Sequence, residues 1–392
     1  MNSGSHSAVL PQCVVLAGGG TGGHLMPGLA VAAELRRRGV PRIIFVGTAR
    51  GLEARLVPEA GYELRLIEIG GLKQTGWRRQ LRTWAQLPGA VLHARRILRE
   101  TRAELVLGIG GYASGPVLAA ARHLRLPLVL LEINAQPGLA NRWAAKWASA
   151  TALAFAEAAP MFPRAVLTGI PVRPEFFAPA PDSSAEPEGL RLLCFGGGQG
   201  ARPLNEALQD WLRQPELSLP FQEIVHQTGG LDWDRVCRAY LKLPGQHFLL
   251  ENSLTYLSPN GWQVRAMPFI QAMAEEMRGA SLVLCRSGAG TLAELAALGK
   301  PAILVPFPGA ADQHQLRNAQ AYVSAGAARL LEQSLLTSPR LDQAVREIAA
   351  DARLRQSMRE AALRLAHPQA ALRITDLMLQ AFSRANNPAV SR

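Results

Sequence analysis

The chain has 392 residues, of which 48% are hydrophobic and 18% charged, and its formal net charge at pH 7 is +12. Since ordinary domains hold roughly 100–200 residues, this length and composition predict a globular protein of two domains. The basic charge predicts an anionic partner, which can be nucleic acid, a membrane surface or a phosphorylated substrate.

The cysteines and the N-terminus indicate a reducing, intracellular location. Cys13, Cys194 and Cys285 lie in predicted strands and are expected to be buried thiols, and no CxxC or His/Cys cluster indicates zinc. The opening residues, MNSGSHSAVLPQ, lack the basic and apolar segments of a signal peptide, and no apolar run is long enough to span a bilayer. We therefore expect a cytoplasmic protein whose contact with any membrane is peripheral.

The first half of the chain alternates apolar runs with helical stretches. CVVLA (13–17) predicts a strand that runs into GGGTGG (18–23) and then into a helix through residue 39. Further strands are predicted at 42–47, 104–110 and 126–134. This βαβ rhythm is typical of a parallel sheet with helices on both faces.

The second half repeats this arrangement after a Pro- and Ser-rich stretch at 176–189, which reads as a linker or surface loop. LRLLCF (190–195) runs into GGGQGA (196–201), and more strand–turn units follow at 222–230, 282–291 and 301–308. The last stretch, 341–384, is predicted to be helical, with a break at His367–Pro368. The predicted fold class is α/β, with two doubly wound Rossmann-like domains facing each other across a cleft.

Glycine-rich turns between strand and helix form anion sites, because bare backbone approaches a ligand closely and the first amides of the helix point at negative charge. Four such turns occur, at 18–23, 108–111, 196–200 and 288–290. Ligands in open α/β folds bind at the carboxyl ends of strands, so all four turns are candidates to line one site.

Two common nucleotide motifs are disfavoured. The first turn satisfies GxGxxG, but the second strand ends in Gly47 and Thr48 without the acidic residue that holds the NAD ribose. Gly299–Lys300 is followed by proline rather than Ser or Thr, so the sequence contains no Walker loop.

His24 and Thr21 stand at the first glycine turn, and each permits two interpretations. His24 is either a base that faces the ligand or a packing and capping residue at the helix start. Thr21 either binds a phosphate or sugar hydroxyl or caps the helix.

CRSGAGTLAEL (285–295) places Arg286 after a strand and Glu294 inside the following helix. The arginine and the turn amides suit a diphosphate, whereas Glu294 suits ribose hydroxyls or the helix dipole alone. DQHQLRNA (312–319) is either a polyol-binding rim or an ordinary polar helix start. Asp232-Trp233-Asp234 matches the DxD metal pattern, but we favour a helix start there.

Residues 72–102 contain eight basic residues and one acidic residue, and Trp77, Leu81 and Trp84 fall on one helical face. We interpret this helix as a contact for an anionic membrane surface, the alternative being a packed amphipathic helix with a solvated basic edge.

Taken together, these motifs resemble the MurG family of bacterial N-acetylglucosaminyltransferases over nearly the whole chain. The motifs, in the family's order, are GGGTGGHLMPGLA, GLEARLVPEAGYEL, GLK, LGIGGYASGPVLAA, EIN…GLANRWAAK, TGIPVR, GGGQGA, FI…M, CRSGAGTLAEL and DQHQ…NA. The resemblance implies the GT-B fold and inverting transfer of GlcNAc from UDP-GlcNAc to the 4-hydroxyl of MurNAc in lipid I, which forms lipid II. It also implies a role in peptidoglycan synthesis, cell shape and cell division at the cytoplasmic face of the inner membrane, with no essential divalent metal and no nucleic acid partner.

The resemblance also implies a division of labour. Residues 1–175 would bind lipid I and the membrane, residues 190–366 would bind UDP-GlcNAc, and a C-terminal helix at 367–392 would pack back on the first domain. His24 is the first candidate for the catalytic base. The residues implied at the acceptor are Thr21, Gly22, Gly23, Tyr112 and Asn141. The residues implied at the donor are Asn134, Arg173, Gly198, Gln199, Ile270, Met273, Arg286, Ala289, Gly290, Glu294, His314 and Gln315.

The chain departs from the family pattern at three places. The family's GGSQGA reads GGGQGA here, so Gly198 lacks a hydroxyl for phosphate. The family's His-Glu-Gln-Asn reads Leu131-Glu132-Ile133-Asn134, and 251–270 carries extra residues. Other interpretations are another UDP-sugar GT-B transferase acting on a glycolipid, a UDP-GlcNAc epimerase, and a basic non-enzymatic protein that binds membranes or nucleic acid.

Overall fold

The computed structural model describes residues 9–19, 22–49, 51–68, 77–111, 113–178, 189–214 and 219–387. The chain divides into two compact units. The first unit comprises Met1–Val172 and His367–Arg392, and the second comprises Arg173–Ala366.

The first unit is built on a seven-stranded parallel sheet with the order β3-β2-β1-β4-β5-β6-β7. Its strands are β1 (Cys13–Gly18), β2 (Arg42–Gly47), β3 (Glu63–Leu66), β4 (Leu105–Gly110), β5 (Leu128–Glu132), β6 (Ala150–Leu153) and β7 (Ala165–Leu167). Its first helices are α1 (Gly22–Arg37), α2 (Glu53–Glu59), α3 (Trp77–Glu100), α4 (Ser114–His123) and α5 (Leu139–Ala144), with a 3-10 helix at Ala156–Met161.

The central strands form because their apolar runs are buried on both faces. Every residue of β1, β4 and β5 is buried, which is typical of parallel strands covered by helices on each side. β1 and β4 are neighbours, whereas β2 and β5 lie on opposite sides of this pair. The point where the strand order reverses therefore lies between the carboxyl ends of β1 and β4, where ligands bind in such sheets.

The second unit is built on an eight-stranded mixed sheet with the order β10-β11-β12-β9-β8-β13-β14-β15. Its strands are β8 (Leu190–Phe195), β9 (Phe221–Gln227), β10 (Gln246–Leu250), β11 (Ser253–Leu257), β12 (Gln263–Met267), β13 (Leu282–Cys285), β14 (Ala302–Leu304) and β15 (Ala328–Leu330). Its helices are α6 (Arg202–Leu212), α7 (Trp233–Tyr240), α8 (Met273–Gly279), α9 (Ala289–Leu298), α10 (His314–Ser324), α11 (Ser338–Ala349) and α12 (Ala352–Arg364). Short 3-10 helices lie at Pro174–Phe176, Gly230–Asp232, Ala311–Gln313 and Gln333–Leu335.

The segment 251–270, where extra residues were expected, contains β11 and β12. β10 pairs antiparallel with β11, and β11 pairs antiparallel with β12, whereas the other pairings in this sheet are parallel. The hairpin of β10 and β11 therefore forms the end of the sheet away from β13 and α9.

The last helix, α13 (Ala370–Asn386), belongs to the first unit, where it contacts α1 and β5. The helical stretch is interrupted between α12 and α13, where the sequence predicts a break at His367–Pro368. The predicted α/β class with two doubly wound units is confirmed, and the four cysteines are free and buried, as expected for those in strands. Among the residues that the structure describes, no helix has both the length and the apolar character needed to cross a membrane.

Candidate functional site

Two glycine pairs meet at the reversal point of the first sheet. The Gly19 N–H donates to the Gly110 carbonyl oxygen at 3.3 Å. A Cβ on Gly18 would collide with that oxygen, and a Cβ on Gly111 would collide with the Gly19 carbonyl. These positions take glycine because the ends of β1 and β4 touch through bare backbone.

His24 lies in the first turn of α1, half-buried, with its ring over Gly110. A Cβ on Gly110 would lie 2.7 Å from the His24 Cδ2 atom and 3.0 Å from Nε2. Gly22 and Gly23 are the first two residues of this helix, and Thr21 and Tyr112 lie outside the described residues. The predicted base is thus held at the carboxyl end of β4.

Glu132, at the end of β5, binds two of the predicted site residues. Its Oε1 accepts from the Asn134 N–H at 3.0 Å, and its Oε2 accepts from the Gly138 N–H and from Asn141 Nδ2, each at 3.0 Å. Burial raises the Glu132 pKa, whereas these donors oppose the rise. The prediction of site residues omitted Glu132, although an acidic residue that ends an otherwise apolar strand is a recognisable signal.

Glu53 is a second buried carboxylate beneath the glycine turns, with no exposed surface. Its Oε1 accepts from the Thr48 N–H at 2.9 Å and from Thr48 Oγ1 at 3.0 Å. A Cβ on Gly19, Gly47 or Gly51 would run into this carboxylate. Glu53, the first acidic residue after β2, therefore binds Thr48 in the interior and is not exposed to a ribose, in keeping with the argument against an NAD site.

In the second unit the sheet order reverses between β8 and β13, and the glycine loop 196–200 follows β8. Gly198 and Gln199 are exposed at its tip. The buried side chain of Gln227 donates from Nε2 to the Gly197 carbonyl at 2.9 Å and accepts from the Ile270 N–H at 2.8 Å. Gln227, which the sequence prediction missed, therefore ties the loop predicted to hold phosphate to the segment predicted to hold uracil.

Ile270 and Met273 lie on this uracil segment. The Ile270 side chain is 3% exposed, and Met273 is the first residue of α8. α8 is itself held by Glu276, which pairs with Arg191 of β8 at 3.0 Å and with Arg265 of β12 at 2.7 Å.

Arg286 is committed to protein acceptors. Its Nη1 donates to the carbonyls of Val305 and Pro306, each at 3.0 Å, and its Nη2 donates to Gln333 Oε1 at 2.6 Å. Burial lowers the Arg286 pKa to about 10. The guanidinium thus supports the chain after β14, and Ala289 and Gly290, the first residues of α9, present the amides nearest the turn.

Glu294 lies in the second turn of α9, and its carboxylate is 3.9 Å from Arg173 Nη2. Burial raises the Glu294 pKa to about 7, while the Arg173 charge lowers it and Glu175 raises it. Arg173 also pairs with Glu175 at 2.9 Å. A carboxyl group that titrates near neutral pH is typical of functional sites.

His314 and Gln315 begin α10 after a strained turn. Asp312 and Gln313 both have φ of +53°, a left-handed conformation that is costly for residues other than glycine. His314 Nδ1 donates to the Ala311 carbonyl at 2.8 Å, and Gln315 Oε1 accepts from the Phe307 N–H at 3.0 Å. Nδ1 therefore carries the proton, and His314 Nε2 is the acceptor of the neutral ring.

The DxD pattern has a structural explanation. The Asp232 carboxylate pairs with Arg235 at 2.6 Å and accepts from Asn205 Nδ2 at 2.6 Å. Asn205 also binds the buried His226, so the segment is part of a hydrogen-bonded network beneath α6 and α7.

Comparisons with known proteins cover both units. The model described as the glycosyltransferase family 28 N-terminal domain matches residues 14–153, and that described as the glycosyltransferase family 28 C-terminal domain matches residues 191–374. A relative from Solibacter usitatus, named UDP-N-acetylglucosamine--N-acetylmuramyl-(pentapeptide) pyrophosphoryl-undecaprenol N-acetylglucosamine transferase, is 41% identical over 95% of this chain and 98% of its own.

Solved structures agree in fold. The crystal structure of Acinetobacter baumannii MurG matches with a TM-score of 0.75 and 30% identity over 94% of this chain and 100% of that one. A UDP-N-acetylglucosamine 2-epimerase matches with a TM-score of 0.61 and 12% identity over 93% of this chain and 94% of that one, a likeness of fold alone.

Proposed function

This chain belongs to glycosyltransferase family 28, and on that premise we propose that it transfers GlcNAc from UDP-GlcNAc to the MurNAc 4-hydroxyl of lipid I. The predicted family, the GT-B type fold and the glycosyltransferase class are confirmed by the family models and by the relatives. The observation that carries the substrate assignment is the 41% identity over almost the full length of a relative named for this reaction.

We assign the nucleotide to the second unit. The exposed tip of the glycine loop and the first amides of α9 offer N–H groups to the diphosphate, and Glu294 offers a carboxylate to the ribose. Ile270 and Met273 are assigned to uracil, and His314 and Gln315 to hydroxyls of the sugar. Fixed amides stabilise the negative charge that develops on the departing UDP.

We assign the acceptor to the glycine turns of the first unit. Inverting transfer is a single displacement, in which the 4-hydroxyl oxygen attacks the anomeric carbon while the bond to UDP breaks and its electron pair leaves with the diphosphate. His24, over Gly110, receives the hydroxyl proton in this scheme. We also propose a peripheral location at the cytoplasmic face of the inner membrane, and the +12 net charge supports contact with an anionic membrane surface.

The test is a transfer assay with radiolabelled UDP-GlcNAc and a lipid I analogue, run with and without EDTA. We expect lipid-linked product from the wild-type protein in both conditions. The His24→Ala variant should lose at least about a hundredfold in kcat, the usual contribution of a general base, with nearly unchanged affinity for UDP-GlcNAc.

The matched control is His123→Ala. His123 is exposed at the C-terminal end of α4, at the sheet edge opposite the glycine turns, so kcat should not change. Absence of transfer by folded wild-type protein would refute the proposed function. Loss of UDP-GlcNAc binding in His24→Ala would refute the assignment of His24 to the acceptor.

A further inference from the structure

We propose that Glu132 is a positioning residue that fixes the orientation of the Asn141 carboxamide, so that its oxygen accepts a hydrogen bond from the acceptor sugar. This inference rests on the proposed function and deepens it. Glu132 is 2% exposed and the donors that its carboxylate binds belong to the protein, so it acts on substrate through those residues, and we assign its effect on the acceptor to Asn141.

The orientation of Asn141 follows from its partners. The Asn141 Nδ2 atom lies 3.0 Å from the Leu131 carbonyl oxygen and 3.0 Å from Glu132 Oε2. Both partners are pure acceptors when Glu132 is ionised, so the amide nitrogen rather than the oxygen must face them. Both hydrogens of the Asn141 amide are thereby used.

This orientation leaves the Asn141 side-chain oxygen without a hydrogen-bond donor among the described residues. Asn141 is 2% exposed, and its Oδ1 is buried without a hydrogen-bond partner among the described residues. Buried acceptors are rarely left unpaired, and such an atom beside a proposed site marks a place for a ligand donor.

The neighbourhood of Asn141 identifies the donor. A Cβ on Gly110 would lie 3.0 Å from His24 Nε2 and 3.9 Å from Asn141 Nδ2, so the two side chains share the space over one glycine. If His24 takes the proton of the reacting hydroxyl, Asn141 Oδ1 faces a neighbouring donor of the same sugar, a second hydroxyl or the acetamido N–H. Asn141 thus orients the acceptor sugar by accepting a hydrogen bond, and His24 receives the proton of the reacting hydroxyl.

The variant Glu132→Gln tests whether Glu132 sets the orientation of the Asn141 carboxamide. The introduced glutamine can still accept from the Asn134 N–H, but its amide nitrogen would face the donors at Gly138 and Asn141. Turning the Asn141 carboxamide relieves the clash with the introduced glutamine, although it sets Oδ1 against the Leu131 carbonyl oxygen. In the turned state Nδ2 faces the sugar, so a donor replaces the acceptor. We expect kcat/KM for the lipid I analogue to fall at least tenfold, while the affinity for UDP-GlcNAc changes by less than about threefold.

A second substitution should reverse this loss. In Glu132→Gln/Asn141→Asp, one oxygen of the introduced aspartate accepts from the introduced glutamine, and the other again faces the sugar. The hydrogen bond to the Leu131 carbonyl is lost, so the reversal is partial. We expect the kcat/KM of this double variant to be at least fivefold above that of Glu132→Gln. Asn141→Asp alone should have a lower kcat/KM than the wild type, because it places two carboxylates side by side. This non-additivity separates a polar positioning role from general destabilisation. Glu157→Gln, at an exposed acid of the same unit, should match the wild type.

A measurement independent of activity completes the test. With ¹⁵N-asparagine labelling, the side-chain amide protons of Asn141, identified by their loss in Asn141→Asp, should be protected from exchange in the wild type and exposed in Glu132→Gln. Equal protection in both would overturn the inference, whether or not the wild type transfers sugar. The inference would also be overturned if the wild type is active and the kcat/KM of Glu132→Gln lies within twofold of it. A folded double variant with a kcat/KM no higher than that of Glu132→Gln would overturn it as well. An inactive wild type with the expected exchange pattern would refute the proposed function alone.

Discussion

At the scale of single residues, the side-chain types at the candidate site were predictable, but their ionisation and hydrogen-bond direction were not. Glu294 was predicted from its place after CRSGAG, yet its pKa is raised by burial and is opposed by the charge of Arg173, which lies far away in sequence. The same holds for Arg286, whose guanidinium donates to Val305, Pro306 and Gln333.

The raised Glu294 pKa predicts a pH dependence of donor binding. Ribose hydroxyls donate to the ionised carboxylate, which in the free protein is progressively lost as the pH falls through about 7. If binding requires the ionised form, the Kd for UDP-GlcNAc should rise by up to about tenfold between pH 8 and pH 6. Isothermal titration calorimetry across this range measures the change.

The control for this prediction is Glu294→Gln, which cannot ionise and should bind more weakly with no such rise. A Kd for the wild type that stays constant from pH 8 to pH 6 would contradict the role given to Glu294.

At the scale of elements, apolar runs that end in glycine predicted the buried parallel strands well. The short strands β3, β6, β7 and β15 were missed, because runs of three or four residues carry little periodicity. The hairpin of β10 and β11 was missed as well, since β10 is a largely exposed strand that pairs antiparallel at the sheet edge and carries no buried apolar pattern.

The glycine loop 196–200 has room for the hydroxyl that the family pattern leads one to expect. A Cβ on Gly198 would meet only Phe269 Cε2, at 4.0 Å, and the Gly198 backbone is not left-handed. Gly198→Ser should therefore keep the fold and bind UDP-GlcNAc about fivefold more tightly, since a hydrogen bond to a charged group contributes about 1 kcal/mol or more.

Gly197→Ser is the matched control in the same loop. Its Cβ would also find open space, but its φ of +90° strains any residue other than glycine. We expect a lower melting temperature and no gain in affinity for this variant. Equal or weaker binding by a folded Gly198→Ser protein would mean that phosphate does not pass this position.

At the scale of the whole molecule, the charge of +12 predicts adhesion to anionic membranes. α3 begins at Trp77, as the aromatic and basic pattern of that segment suggests, while its side chains at 77–86 lie outside the described residues. Binding to vesicles that contain anionic lipid should weaken steeply as salt is raised, because exposed charges are screened.

The variant Arg78→Glu/Arg82→Glu should lower this binding at least tenfold, since each basic group near an anionic surface contributes about 1 kcal/mol. Arg353→Glu/Arg364→Glu, at exposed positions of α12 in the other unit, changes the net charge equally and should bind as the wild type. Equal loss in both variants would indicate that total charge, not this helix, brings the protein to the membrane. Vesicle sedimentation measures both.

The sequence by itself determined the family, the two α/β units and the residue types at the ends of their strands. These properties follow from local pattern, because strand burial, glycine turns and helix starts are written in consecutive residues. Only the tertiary structure decided that Glu132 accepts from Asn141, that Gln227 joins Gly197 to Ile270, and that Arg286 donates to the chain after β14. These contacts join residues from separate elements, so their partners and directions depend on how the chain folds rather than on any one stretch of it.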